Sequence, residues 1–333
     1  MRIGLDLYTI DHRKLPPEEA LNFARSHGLE GVQFLDPAVI DPDMDTNRLI
    51  DFRRQADALG LYVEVGLTSP NPVRRARALG HPVTAQEHAR TLRREVEAVA
   101  ALGCSFARAY VGDRHDRFRT DVSWSHQIEA TLEVLAPLVP FLNEFGVRIA
   151  LETHADLMVD ELLRIVERLG EASAAVTLDT GNLVMRLDDP VRAVERLAPW
   201  VVCTHVKDAV LAFTDRGLCW QARPVGAGGL PIPDLLVPLA RHNPRLNLSI
   251  ELHPRTYDLP IFDPAWLSFF PGLRAENLAA VVRLAWQCEQ RFQEGSLPRP
   301  EVVEAIPWPE RDLDWLARSV GYLKPVVDLL RTL

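Results

Sequence analysis

The sequence predicts an α/β fold, a (β/α)8 barrel with an appended C-terminal helical tail, and three observations carry that expectation. An amphipathic helix, a glycine and an apolar strand recur in that order along the first half of the chain. Eight short runs with strand character can be counted, near residues 2–8, 31–35, 61–66, 105–111, 147–153, 175–180, 201–207 and 246–252. The last four of these each end in a side chain able to bind a hard metal, in the order Glu152, Asp179, His205 and Glu251. Four such groups at the same end of four successive strands are the layout of an open metal site in a parallel barrel, whose active sites lie at the C-terminal ends of the strands.

The recurring unit is seen in EEALNFARSHGLEGVQFL, LIDFRRQADALGLYVEVGL, LRREVEAVAALGCSFARAYVG and LEVLAPLVPFLNEFGVRIALE. Gly28, Gly60, Gly103 and Gly146 suit the left-handed cap that stops a helix and turns the chain into the next strand. Helix and strand alternating in this way imply βα units and a parallel sheet. A doubly wound open sheet is the alternative, but it would gather ligands at a switch point and not around a ring.

Side-chain parity then sorts each strand, because neighbouring residues point to opposite faces. In the first half it turns Asp6, Tyr8, Glu64, Arg108 and Tyr110 inward, with barrel-layer or ion-pair roles expected for each. In the fifth run Arg148, Ala150, Glu152 and His154 oppose Val147, Ile149 and Leu151. The seventh puts His205 and Lys207 on one side of Val206, and the eighth puts Asn247, Ser249, Glu251 and His253 opposite Leu248, Ile250 and Leu252. His154, Lys207 and His253 therefore stand two residues beyond a ligand, one step nearer the mouth, where they contact substrate or orient the ligands. Two Glu, one Asp and one His form an oxygen-rich set that suits one divalent ion, Mn²⁺ first, with Mg²⁺ or Co²⁺ also fitting.

Three connections, after strands three, seven and eight, are too long for simple turns and fall on the predicted catalytic face, where such loops shape a pocket or make an oligomer contact. The barrel is expected over 1–290 and a helical extension that packs on it over 291–333. A net charge of -9 with no concentrated basic stripe argues against a nucleic-acid partner. Four cysteines with no C-x-x-C pair, and a start that enters a strand directly, point to a reducing, cytoplasmic location without a membrane span. Two tempting motifs fail. DPDMDTNRLIDF has Thr46 and Phe52 where a calcium loop needs Gly and Glu, and GAGG at 226–229 lacks the strand-before, helix-after context of a dinucleotide fingerprint.

The ordered Glu, Asp, His, Glu set, with DTGN at 179–182, HVKD at 205–208 and RPVGAGGLPIPDLL at 223–236, resembles the sugar phosphate isomerase/epimerase superfamily, the xylose-isomerase-like TIM barrels. The resemblance covers roughly residues 1–290. It implies metal binding at Glu152, Asp179, His205 and Glu251, with Glu152 and Glu251 also serving as catalytic acid and base. It further implies substrate contact by Arg223, which with His154, Asn182, Lys207 and His253 completes the expected substrate-binding set. Where the family's epimerases commonly carry a His, three residues after the strand-six Asp, this chain has Asn182, which turns the reading away from simple hexulose epimerisation.

A divalent ion that chelates a carbonyl and its neighbouring hydroxyl stabilises the enediolate left when a proton departs, and a facing pair of Glu removes and returns that proton. The first expectation is therefore a metal-dependent sugar isomerase or epimerase. The second is a lyase, in which CO₂, water or an aglycone leaves an oxo-sugar or oxo-sugar acid. Endonuclease and non-catalytic binding roles are further alternatives. The expected partner is a small sugar or sugar acid, with a homo-oligomer allowed.

Overall fold

The computed structural model describes residues 1–331. Eight parallel strands form the barrel: β1 (Arg2–Asp6), β2 (Gly31–Phe34), β3 (Tyr62–Val65), β4 (Phe106–Ala109), β5 (Arg148–Glu152), β6 (Ala174–Asp179), β7 (Val201–Val206) and, further along the chain, β10 (Asn247–Ile250). Their order around the ring is β3-β2-β1-β10-β7-β6-β5-β4. The ring closes between β3 and β4 through one bridge, Gly66 to Arg108, and a 2.7 Å bond from the Leu67 amide to the Arg108 carbonyl. Gly66 is needed there, since a β-carbon on it would lie 2.2 Å from the Leu35 carbonyl oxygen.

The helices follow from local chemistry. Thr84 and Glu87 form a reciprocal capping box that starts the helix Ala85–Ala101. Gly28, Gly60, Gly103 and Gly146 take φ values between 64° and 72°, the left-handed turn that sends the chain from each helix into the next strand. The apolar faces of these helices meet the outward residues of the strands, such as Ile149 and Leu151, in one continuous core.

Two stretches differ from a bare barrel. After β7 the chain makes a hairpin, β8 (Asp208–Thr214) and β9 (Gly217–Arg223), and after β10 a short strand, β11 (Thr256–Leu259), adds to its free edge. The connections expected as irregular loops after strands seven and eight are thus largely one three-stranded antiparallel sheet. The helix Ala275–Gln293 follows the eighth barrel strand and packs on β8, where Cys288, Phe292, Val210, Ala212 and Leu297 form a small cluster of their own, while its Val281 and Ala285 join the main core. It is the C-terminal helix Trp308–Leu330 that lies against β1 and the helix Ile232–His242, and its Trp315, Leu316, Val320, Leu323 and Val327 belong to the barrel's own core. The core therefore runs without a break across residue 290. No helix among the described residues is long and apolar enough to cross a membrane.

A helix that completes the core should unfold with it. Leu323→Ala, at a fully buried position, is expected to destabilise the protein by about 2–5 kcal/mol, with the loss of helix and of near-UV signal coinciding in urea. Separate transitions would show the C-terminal helix to be an independent attachment.

Candidate metal centre

The register of the sheet brings the ligands level. β6 pairs with β7 so that Asp179 faces His205, after an irregularity between Val176 and Thr177, and Ser249 on β10 lies opposite His205 on its other side, which carries Glu251 one step above. Glu152 ends β5 opposite Thr177. From these positions one oxygen or nitrogen each of Glu152, Asp179 and His205 come within 4.8 Å of one another. His205 Nδ1 is the hub: it lies 3.4 Å from Glu152 Oε1, 3.8 Å from Asp179 Oδ2 and 3.7 Å from Glu251 Oε2. Of the four residues that the sequence nominates as metal ligands, Glu152, Asp179 and His205 meet as a set able to hold an ion, and Glu251 stands beside them.

The other ring nitrogen fixes the tautomer. Nε2 lies 3.2 Å from Asp6 Oδ2 and also bonds to Gln33 Oε1, two acceptors, so it carries the proton. Gln33 is oriented in turn by its amide nitrogen, which donates to Glu64 at 3.2 Å. Nδ1 is buried, without a hydrogen-bond partner, and surrounded by carboxylates, so it is the nitrogen whose lone pair would face an ion placed among them. Such an arrangement is repulsive unless a cation sits among them, and it matches a metal-binding imidazole whose second nitrogen is held by outer partners.

Charge points the same way. Asp6, Glu152, Asp179 and Glu251 contribute four carboxylates, while Arg108 and Lys207 are the permanent cations facing them. Two negative charges remain unmatched when His205 is neutral, the deficit that one divalent ion fills. In the cluster as it stands, burial opposes charge on His205, yet Glu251 and Glu152 hold its imidazole well above the usual range. Burial raises the Asp179 carboxyl to about 6. Burial likewise works to raise Glu152 and Glu251, but the charges of His205 and His154 on the first, and of Lys207 and His205 on the second, keep both well below the carboxylate range. The donor set of Glu152, Asp179 and His205, one imidazole and two carboxylates, fits a hard or borderline divalent ion.

The remaining nominated residues divide. Lys207 reaches the cluster itself, with Nζ 2.8 Å from Asp179 Oδ2 and bonded to Glu251. Asn182 serves Asp179: its backbone amide donates to Oδ1 at 3.0 Å and its side-chain amide to Oδ2 at 2.9 Å. His253 stands at the mouth among Trp220, Tyr8 and Tyr257, with Nδ1 unpartnered, and burial followed by the Lys207 charge lowers its imidazole to about 3. His154 bonds through Nδ1 to the Gly112 carbonyl at 2.9 Å and lies against Tyr110. Arg223 does not join them. It falls on the opposite face of β9 from Trp220, and its Nη2 donates to the Pro298 carbonyl at 2.8 Å.

Of the residues that parity turned inward, Asp6 and Arg108 enter the cluster, Arg108 through a 2.9 Å bond to Glu152. Gln33 and Trp220 were not nominated. Gln33 had a weak signal, one polar side chain in the apolar run GVQF, whereas Trp220 read as loop hydrophobe.

The family model described as xylose isomerase-like TIM barrel matches residues 21–267. A 3-oxo-isoapionate decarboxylase of Pectobacterium atrosepticum is 26% identical over 221 residues, 66% of this chain and 71% of that one. The uncharacterized protein YihM of Escherichia coli is 28% identical over 112 residues, so the match spans only 34% of its length and 32% of this chain. Among solved structures, a D-psicose 3-epimerase with D-tagatose from Clostridium cellulolyticum H10 superposes with a TM-score of 0.59 at 12% identity, covering 86% of this chain and 99% of the other. At that identity the likeness speaks for the fold.

The Gln33 bond is expected to matter for metal affinity although Gln33 is no ligand. By calorimetric titration with Mn²⁺ the wild type should bind one ion, Asp179→Asn should lose binding, and Gln33→Leu should bind about 10- to 100-fold more weakly. Unchanged affinity in Gln33→Leu would remove it from the support of His205.

Proposed function

The chain belongs to the xylose isomerase-like TIM barrel family, and from that membership we propose that it is a divalent-metal-dependent lyase that removes CO₂ from an oxo-sugar acid. The observation that carries this reading is the pairing of each facing glutamate with a fixed cation, Glu152 with Arg108 and Glu251 with Lys207. An isomerase or epimerase passes a proton through two such groups in turn, and each must spend part of the cycle protonated. A cation on each carboxylate disfavours that form. Decarboxylation needs no base.

Glu152, Asp179, His205 and Glu251 would hold the divalent ion, which when bound would supply Lewis-acid charge for a substrate carbonyl. The bond between the carbon beside that carbonyl and the carboxylate breaks, CO₂ departs, and the electron pair is delocalised into the carbonyl. Lys207, whose ammonium already lies in the cluster, gives the carbon its proton and is reprotonated from solvent. Arg108 keeps Glu152 ionised, and Asn182 with the Gly181 amide at 2.9 Å keeps Asp179 in place. The resemblance to a decarboxylase over two thirds of the chain supports the same choice. Isomerase or epimerase chemistry is the second reading, favoured by the approach of Glu152 and Glu251 to the same nitrogen from different strands.

Proton NMR of the Mn²⁺-loaded protein in D₂O, with oxo-sugar acids and keto sugars as substrates, separates the two. Loss of the carboxylate with one deuterium at the carbon that bore it is expected. Deuterium entering an intact skeleton would replace the lyase reading with the isomerase one. Lys207→Met should lower kcat by about 10²- to 10⁴-fold while a bound ion is retained; full turnover in that variant would exclude Lys207 as the acid.

A further inference from the structure

The outer face of the β8–β9 hairpin, the one turned away from Trp220 and the metal ligands, meets the segment 298–311. Asp208 pairs with Arg223 and Val210 with Gln221 on this face. Gln221 Nε2 donates to the Pro300 carbonyl at 3.0 Å and to Glu304 Oε1 at 2.9 Å, and Arg223 Nη2 donates to the Pro298 carbonyl at 2.8 Å. Arg311 Nη2 reaches the same Glu304 Oε1 at 2.9 Å, while its guanidinium stacks over Trp315 at 4.8 Å and Trp308 at 5.6 Å. Gln221, Arg223 and Arg311 are 0%, 3% and 4% exposed.

These groups are not satisfied by one another. Arg223 Nε, Arg311 Nε and Arg311 Nη1 are buried donors without a partner, and Gln221 Oε1 is a buried acceptor without one. Buried polar atoms are nearly always hydrogen-bonded, and the three orphaned donors outnumber the one free acceptor, Gln221 Oε1, so they call for further acceptor oxygens. Ion pairing is incomplete in the same sense. Arg311 pairs with Glu304, whereas among the described residues Arg223 forms no salt bridge and bonds to the Pro298 carbonyl. Asp208, also on this face, is taken up by the amides of Ala209, Gly228 and Leu230 at 2.8, 2.9 and 3.0 Å. Burial, and then the neighbouring Arg311, lower Arg223 to about 10. An unpaired buried cation is costly, and a charge-assisted bond to an oxyanion is the strongest remedy available to a guanidinium.

We propose that Arg223 and Arg311, with Gln221 Oε1 accepting from a protonated oxygen of the ligand, form a second, non-catalytic site for a small oxyanion, phosphate or a phosphoryl group, between the hairpin and the C-terminal segment. Bound there, the anion takes the free N–H groups of both arginines and ties the segment 298–311 to the sheet that covers the barrel mouth.

The test uses the full-length, metal-loaded protein at constant ionic strength. Its thermal midpoint is measured in chloride alone and with increasing inorganic phosphate or glucose 6-phosphate. A rise of a few degrees that saturates with phosphate is expected, as for any ligand that binds only the folded state. A rise with both compounds assigns the site to phosphoryl groups generally, and a rise with phosphate alone to the free anion. Gln221→Glu places a carboxylate of the same shape beside the two arginines and should abolish the response; Arg311→Met should do the same. No difference between phosphate and chloride, or a Gln221→Glu variant that responds like the wild type, would overturn the proposal.

Discussion

Mutual repulsion among buried carboxylates is the constraint on which the rest of this structure turns. Glu152, Asp179 and Glu251 converge within 4 Å of one imidazole nitrogen, and Asp6 holds the other side of the same ring. Like charges this close in a poorly solvated interior cost several kcal/mol unless cations oppose them. The fold meets this from two directions, with Arg108 from β4 and Lys207 from the end of β7, and leaves a deficit that suits a divalent ion.

The scaffold around the cluster holds those charges still. Asp179 cannot swing away, because the Gly181 and Asn182 amides and the Asn182 side chain bind both its oxygens, and the Thr153 hydroxyl accepts its backbone N–H at 2.8 Å. Lys207 is confined too. A β-carbon at Gly181 would lie 2.6 Å from Lys207 Cγ, and the Trp220 indole donates to the Gly181 carbonyl at 2.9 Å, so the stem runs in a slot between glycine backbone and indole. The hairpin that supplies Trp220 is in turn backed by the helix Ala275–Gln293 and the segment 298–311. Residues far along the chain thereby support the position of a side chain at the mouth.

Much of this was legible because strands announce their two faces. The alternation in RIALETH and NLSIELH separates Glu152 and Glu251 from the outward Leu and Ile with no knowledge of the fold. The four helix-terminating glycines marked the βα units of the first half for the same local reason. What escaped depends on contacts between distant segments. Gln33 matters only because β2 sets it beneath His205, 172 residues away. The hairpin joins AVLAFT to LCWQAR through Asp215 and Arg216, a turn without the usual Asn-Gly signal, and so read as loop. Arg223 shows the limit of carrying a role by position: its place before the glycine turn suggested substrate, but one step of strand parity put it on the other face.

Lys207 is where charge and reaction meet in the proposed chemistry. Four carboxylates, two fixed cations and a divalent ion sum to neutrality, so an oxo-acid enters an uncharged site bearing the only excess charge. When CO₂ departs that charge stays on the substrate, spread over the carbon and its neighbouring carbonyl. A proton moved from Lys207 to carbon discharges the substrate and leaves the cluster one negative charge in excess. Asp179 and Glu251, both within reach of Nζ, favour the ammonium strongly, as the upward displacement of Lys207 by their charges against burial shows. The same two carboxylates that hold the lysine therefore make its reprotonation from solvent favourable, which returns the site to neutrality for the next substrate.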